Sequence, residues 1–585
     1  MKILTKTVDK RKMRTIIYIV KNIMKESGSM EKIKPMLFTS LKGYNKSQFV
    51  KDLISGVIVA IIALPLSIAL ALASGVGPEQ GIYTAIVAGF VISFLGGSTV
   101  QIAGPTAAFA TIVAGIVASE GMSGLATATI LAGVILVFMG IFKLGSLIKF
   151  IPFTITTGFT SGIALTIVLG QLKDFFGSQY PAGMETIETM DKVKALIAGI
   201  DTFNIHAFIV GAVSLAVLII MPKISEKIPG SLVAVLVGIL MVKFLPLEVN
   251  TIGDLYTISS SLPKLVLPDF SLGAIKTALP NAFTIAILAA IESLLSCVVA
   301  DGMTGTKHRS NTELVAQGAG NVASALFGGI PATGAIARTA ANIKNGGKTP
   351  IAGMIHAVVL LLVLLVLMPY AGLIPMPTIA AILLMVAYNM SHWRTFVNVI
   401  KTAPKNDIIV LLATFFLTIV FDLVVAIEVG MILACVLFMK RMSDETSVTP
   451  WKYKEQIVDA DSDEVKQKLI DVPKNIRVYE ISGPLFFGAA DQIERIELKN
   501  YTEYLIVRMR SVPAMDSTAM NSMTSLKDRC DKKGITMILS HVNEQPMKAM
   551  KKSGLYKSIG AENFKSDISS AISHAEELSS AKVSQ

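Results

Sequence analysis

Charge is what this chain has little of: Asp, Glu, Lys and Arg make up 16% of its 585 residues, against about 25% in ordinary soluble proteins. With 52% hydrophobic residues, most of its length is written for lipid rather than water. Cysteine is scarce too. Cys297, Cys435 and Cys530 stand far apart with no CxxC or Cys/His spacing, which excludes a disulfide framework and a cysteine-based metal site. Six scattered histidines and the lack of GxSxG, P-loop and HExxH patterns leave no constellation for covalent catalysis, so neither enzyme activity nor a cofactor is expected. No cleavable leader is expected either, because the apolar run Thr15 to Val20 is shorter than the about 7–15 residues of a signal core.

What charge there is gathers at Met1 to Lys51 and beyond Lys440. The net charge of +11 does not point to nucleic acid, since the Lys and Arg residues cluster beside the first and last apolar segments. That is the pattern of a multi-pass protein of the cytoplasmic membrane with both termini in the cytoplasm. Three regions follow: a basic cytoplasmic segment 1–50, a transmembrane domain 51–442, and a linker with a cytoplasmic domain 443–585. Within the first, Lys10 to Lys25 reads as a basic amphipathic helix lying on the lipid bilayer's inner leaflet.

Fourteen apolar runs lie between residues 53 and 440, several shorter than the roughly 20 residues of a straight span. Two are interrupted by Gly and Pro. One interruption runs Phe94-Leu95-Gly96-Gly97 to Ala103-Gly104-Pro105-Thr106-Ala107, the other Leu326-Phe327-Gly328-Gly329-Ile330-Pro331-Ala332-Thr333-Gly334-Ala335. Matched breaks, one in each half, predict an inverted-repeat transporter with its binding site between them. After residue 442 the pattern changes to strands at 476–481, 504–509 and 535–542, alternating with helices near 490–498, 516–531, 545–553 and 566–578. Such alternation predicts an α/β domain with a mixed or parallel sheet.

Polar residues inside the apolar runs are the candidates for function, because lipid tolerates them only at a cavity or a partner. Thr106 and Thr333 stand at the mouths of short helices that restart after the breaks, where free N–H groups and the positive helix end attract an anion. Arg338 lies a turn further along and either adds a fixed positive charge or forms a structural ion pair. Ser67, beside Pro65, either lines the same cavity or bonds its own helix. Glu292 is the only acid between Ala282 and Ala300, and Ser296 follows it one turn later on the same face. A carboxylate there repels an anion, so it points to a coupling cation or proton, unless it pairs with Arg338. In the last domain Asp516 and Ser517 fit two roles, an N-cap or a phosphorylation site.

The segments DLISGVIVAIIALPLSIALALASGVGPEQGIYTAIVAGF, QIAGPTAAF, ESLLSCVVADGMTG and FGGIPATGAIARTAANIKNGGKTPIAGMIHA resemble the SulP family of sulfate permease-like anion transporters. The last domain resembles a STAS domain (sulfate transporter and anti-sigma factor antagonist). The resemblance implies a polytopic α-helical fold of two inverted seven-helix repeats, like the uracil permease type, with core and gate subdomains and a C-terminal cytoplasmic α/β STAS domain. It implies a homodimer, an anion held by Leu66, Leu70, Thr106, Ala107, Gly334 and Ala335, to which the reading of the residues above adds Thr333 and Arg338, and Glu292 and Ser296 at a coupling-ion site. Ser517 matches the regulatory serine of anti-sigma antagonists, so a regulatory protein is an expected partner of this domain. Where some members have a hydroxyl ligand for sodium, this chain has Ile336, which offers none. Secondary transport of sulfate or bicarbonate, coupled to sodium or protons, is the leading expectation. A dicarboxylate or nucleobase carrier of the same fold, an anion channel, and a membrane-anchored regulatory scaffold are the alternatives.

Overall fold

The computed structural model describes residues 33–181, 183–184, 189–225, 229–421, 423–450 and 472–583. The amphipathic segment Lys10 to Lys25 lies outside them. The chain divides into two compact units, Met1–Met431 and Ile432–Gln585.

In lipid each backbone N–H and C=O needs an internal partner, which makes helices of the apolar runs. The first half contains α1 (Lys46–Ala73), α2 (Pro78–Leu95) and a long helix Ala110–Ile141. Gly121, with φ 68° and ψ −173°, breaks that helix into α3 (110–120) and α4 (122–141). α5 (Phe153–Phe176), α6 (Ile205–Ile224) and α7 (Gly230–Phe244) complete the half. The second half repeats the order with α8 (Leu272–Thr304), α9 (Ser310–Leu326), the short α10 (Ile336–Lys344), α11 (Ile351–Ala371), α12 (Met376–Ser391), α13 (Lys405–Val420) and α14 (Leu423–Glu445). The fold is thus an inverted seven-plus-seven repeat. α1–α4 pack with α8–α11, while α5–α7 pack with α12 and α13. α4 and α9 cross at glycine: a Cβ on Gly133 would stand 2.6 Å from the Gly318 carbonyl oxygen, and one on Gly318 would meet that of Gly133. Small residues permit this backbone contact, which dispersion then stabilises.

Between α2 and α3 the chain is extended at β1 (Ala103–Gly104), and between α9 and α10 at β2 (Thr333–Gly334). These two pieces pair antiparallel, Ala103 with Gly334 and Gly104 with Thr333.

The second unit holds a five-stranded sheet in sequence order: β3 (Ser447–Pro450), β4 (Ile476–Ser482), β5 (Tyr504–Ser511), β6 (Thr536–Ser540) and β7 (Phe564–Lys565). β3 pairs antiparallel and the others parallel, so the sheet is mixed. The two edge strands and the short helix Leu555–Ile559 were not expected from the sequence. Alternate β5 residues serve opposite faces. Leu505, Val507 and Met509 pack under α15 (Ser517–Lys532), while Tyr504 and Ile506 pack with Ile568, Ile572 and Ala575 of α16 (Ile568–Val583).

With its own core on both sheet faces, a chain beginning at Thr446 is expected to be soluble and to melt in one cooperative transition by circular dichroism. Ile506→Asp should abolish that transition, because an unpaired buried charge costs several kcal/mol. A wild-type fragment lacking the transition would refute the independence of this unit.

Candidate functional site

Two helices begin where β1 and β2 pair. Ala335 N–H donates to Ile102 C=O at 2.8 Å, extending the ladder by one bond. Past β1, Thr106 is extended (φ −129°, ψ 158°) and a turn at Ala107–Phe109 leads into α3. Past β2, Ala335 (φ −97°, ψ 108°) leads into α10. Neither start carries a side-chain cap. No side chain therefore takes up the first-turn N–H groups at these positive helix ends.

The threonines point elsewhere than at caps. Thr106 Oγ1 donates to Glu292 Oε2 at 3.0 Å, and Thr333 Oγ1 donates to the Ala289 carbonyl at 3.1 Å, so α8 is bonded to both breaks. Arg338 is 2% exposed. From α10 it reaches across to the first break, where Nη2 donates to Pro105 C=O at 3.0 Å and Nη1 has no partner. Among the described residues no ion pair joins Arg338 to Glu292, so the structural pairing weighed from the sequence is absent. Gly104 makes room for the guanidinium, since a Cβ there would collide with Nη1. Gly334 is likewise covered by the Gln101 amide.

Ser296 is buried and donates to Thr339 Oγ1 at 3.4 Å, while Thr339 Oγ1 accepts from Ile102 N–H at 3.0 Å. Glu292 and Ser296 thus share α8 but have different partners, Glu292 the Thr106 hydroxyl of the first break and Ser296 the Thr339 hydroxyl of α10. Ser67 is buried with Oγ unpartnered, so it does not bond back to its own helix. Leu66, half-buried, and Leu70, buried, stand one turn apart on α1. Ala107 and Ala335 are buried beside the helix starts, and Ile336 is 40% exposed. In the second unit Asp516 is the cap of α15: its Oδ1 accepts from Ala519 N–H and its Oδ2 from Phe487 N–H, both at 2.9 Å. Ser517 is exposed at the first helical position.

Sequence reasoning missed the groups that brace the breaks. Glu313, fully buried on α9, accepts from Gly97 N–H, Gln101 Nε2 and Gln317 Nε2, each at 2.8 Å. Asn321 donates to Ala332 C=O at 2.8 Å and accepts from its N–H at 2.9 Å. Thr84 on α2 accepts from Ile330 N–H at 2.7 Å. The missed signal is the spacing of four from Glu313 to Gln317 to Asn321, which puts three polar side chains on one helix face.

A model of the sulfate permease family matches residues 49–414, and a STAS domain model matches 467–571. YvdB of Bacillus subtilis (strain 168), which bears a provisional sulfate-transporter name, is 41% identical over 529 residues, 89% of this chain and 97% of its own. The bicarbonate transporter BicA of Picosynechococcus sp. is 32% identical over 526 residues, 87% of this chain and 91% of its own. Among solved structures, the transmembrane domain of a cyanobacterium bicarbonate transporter BicA covers 67% of this chain and 98% of that chain at 31% identity, with a TM-score of 0.59. The overall structure of SLC26A9 covers 98% of this chain and 95% of that chain with a TM-score of 0.82; at 18% identity it is a likeness of fold.

Gly104→Ala places a methyl group on the Arg338 Nη1 position and should move the guanidinium off the first break. Anion affinity is expected to fall about tenfold, because a hydrogen bond to a charged group contributes about 1.5–3 kcal/mol. Gly115→Ala on α3, where nothing stands within 4 Å, is the control. Titration of both purified variants with sulfate and bicarbonate checks this, and equal affinities would mean the guanidinium takes no part.

Proposed function

The chain belongs to the sulfate permease family, and from that premise we propose that it is a secondary transporter of sulfate or bicarbonate, driven by sodium or protons. Inorganic anion transport is the family's activity. The observation that carries the placement of the site is the convergence of two uncapped helix starts on one paired segment, with a buried Arg338 fixed beside it. An anion bound there accepts from first-turn N–H groups near Ala107 and Ala335 and feels the Arg338 charge, with Thr333 and Gly334 shaping the floor and Leu66 and Leu70 closing the side. Dicarboxylates and nucleobases need more hydrogen-bonding side chains than this lining supplies.

Glu292 is proposed as the coupling group. Its carboxylate accepts from Thr106 Oγ1, so it stands one side chain away from the first helix start and opposes an anion there until neutralised. A proton on Glu292 reverses that hydrogen bond, because a protonated carboxyl donates. The Thr106 hydroxyl hydrogen is then released toward the anion. Sodium has the same electrostatic effect, with Ser296 supplying a further oxygen if it leaves Thr339. Anion binding and cation or proton binding thereby favour each other.

In the same reading the protein is a homodimer of the cytoplasmic membrane with both termini in the cytoplasm, the orientation resting on the Lys and Arg clusters that flank the first and last spans. Ser517 is proposed as a regulatory phosphorylation site. Asp516 already satisfies the cap, so the exposed Ser517 hydroxyl is unoccupied by structure, and a phosphate of about −2 charge there would recruit or repel a partner protein.

Glu292→Gln separates coupling from binding. In proteoliposomes with labelled sulfate or bicarbonate, the variant is expected to exchange anion across the membrane yet fail to accumulate it under a sodium or pH gradient that drives the wild type. Full gradient-driven accumulation by well-folded Glu292→Gln protein would end the coupling role.

A further inference from the structure

We propose that His356 is a positioning residue for the anion site, holding the Arg338 guanidinium in place through a buried bridging water. The inference rests on Arg338 serving the site as described above. His356 lies on α11, fully buried, and neither ring nitrogen has a hydrogen-bond partner. Arg338 Nη1 is a second buried orphan and Ser93 Oγ a third. The three are gathered along one stripe of α2. Ala85, Gly89 and Ser93 recur every four residues, about 6 Å apart along the helix axis. Opposite Ala85 is Arg338: a Cβ added at Gly104 would lie 3.6 Å from Ala85 Cα and would meet Nη1. Opposite Gly89 is His356: a Cβ added at Gly89 would lie 3.9 Å from His356 Nδ1 and 3.2 Å from the Ala103 carbonyl oxygen. Opposite Ser93 is Gly353, one turn before His356 on α11.

Buried polar groups left without partners cost about 1–3 kcal/mol each, and a buried water settles where two to four polar groups converge. At Gly89 the His356 Nδ1 and the Ala103 carbonyl oxygen approach the same position of α2, and Arg338 Nη1 stands one helical turn away, opposite Ala85. A water there accepts from Arg338 Nη1–H and donates to His356 Nδ1 and to Ala103 C=O, which uses three of its four bonds. The imidazole that fits is the neutral one protonated on Nε2. Arg338 is then held at both Nη atoms, by Pro105 C=O and by the water, with its charge kept because neither partner is ionised. A carboxylate in place of the imidazole would instead neutralise the guanidinium and cancel its pull on an anion.

The test uses the full chain in proteoliposomes with labelled sulfate and labelled bicarbonate. His356→Gln, whose amide oxygen still accepts from water, should keep KM within about threefold, whereas His356→Leu should raise KM about tenfold, the scale of one hydrogen bond to a charged group, with Vmax and melting temperature little changed. His356→Glu should abolish saturable uptake. A wild-type KM in His356→Leu, or equal losses in His356→Gln and His356→Leu, would overturn the proposal. Should the Leu variant fail to fold, an experimental density map of the wild type decides: a water within about 3.2 Å of both His356 Nδ1 and Arg338 Nη1 supports the bridge, and its absence refutes it. If the wild type carries neither anion, the transport reading fails, while the map still tests the bridge.

Discussion

The pairing of Ala103–Gly104 with Thr333–Gly334 is the constraint on which the membrane unit depends. A chain that leaves helical geometry inside a membrane exposes N–H and C=O groups that lipid cannot satisfy. Here each break serves as the other's partner. The remaining backbone groups are taken up by buried side chains: Glu313 at Gly97, Asn321 at Ala332 and Thr84 at Ile330. What stays unpaired by geometry is the set of N–H groups at the two helix starts. In the proposed function those N–H groups, beside Arg338, are where the anion binds.

Two opposite charges stand near this point without neutralising each other. Arg338 is bonded to the Pro105 carbonyl and Glu292 to the Thr106 hydroxyl, adjacent residues of the first break. At 4 Å and an effective dielectric of about 20, a direct pair would gain about 4 kcal/mol, enough to close the site on itself. Neutral partners interposed on both sides prevent that closure. In the proposed function this separation lets an anion answer one charge and a cation or proton the other.

Much of this was legible in the sequence. Hydropathy marks the long spans, seven of which among the described residues are long and apolar enough to cross a membrane, and Gly and Pro mark both breaks, because lipid punishes any other arrangement. Glu292 stands out for the same reason, as a lone acid in an apolar run. Glu313 did not stand out, because its helix also carries Gln317, Asn321 and Ser324 and reads as weakly polar; only their spacing reveals a single buried face. The partners of Thr106, Thr333 and Arg338 were beyond reach, since each depends on a contact between distant parts of the chain. The edge strands Ser447–Pro450 and Phe564–Lys565 are too short to show a period of two. Ser67 reads from the sequence as a serine bonded to its own helix or lining a cavity, and its unpartnered hydroxyl removes the first of these.

Glu292 and Arg338, like Glu313, come from the second half yet are bonded to the first: Glu292 of α8 to Thr106, Arg338 of α10 to Pro105 and Glu313 of α9 to Gly97. The first half supplies at these points only neutral groups. Any motion that separated the two breaks would therefore strip the β1–β2 ladder and the bonds to Thr106 and Pro105 at once. Each buried group so exposed costs about 1–3 kcal/mol, and the losses fall together because the bonds converge on residues 103–106. Opening a path between the half-helices is thus the expensive way to expose the site. In the proposed transport reading, moving α1–α4 and α8–α11 as one body against α5–α7 and α12–α13 leaves every one of these bonds intact.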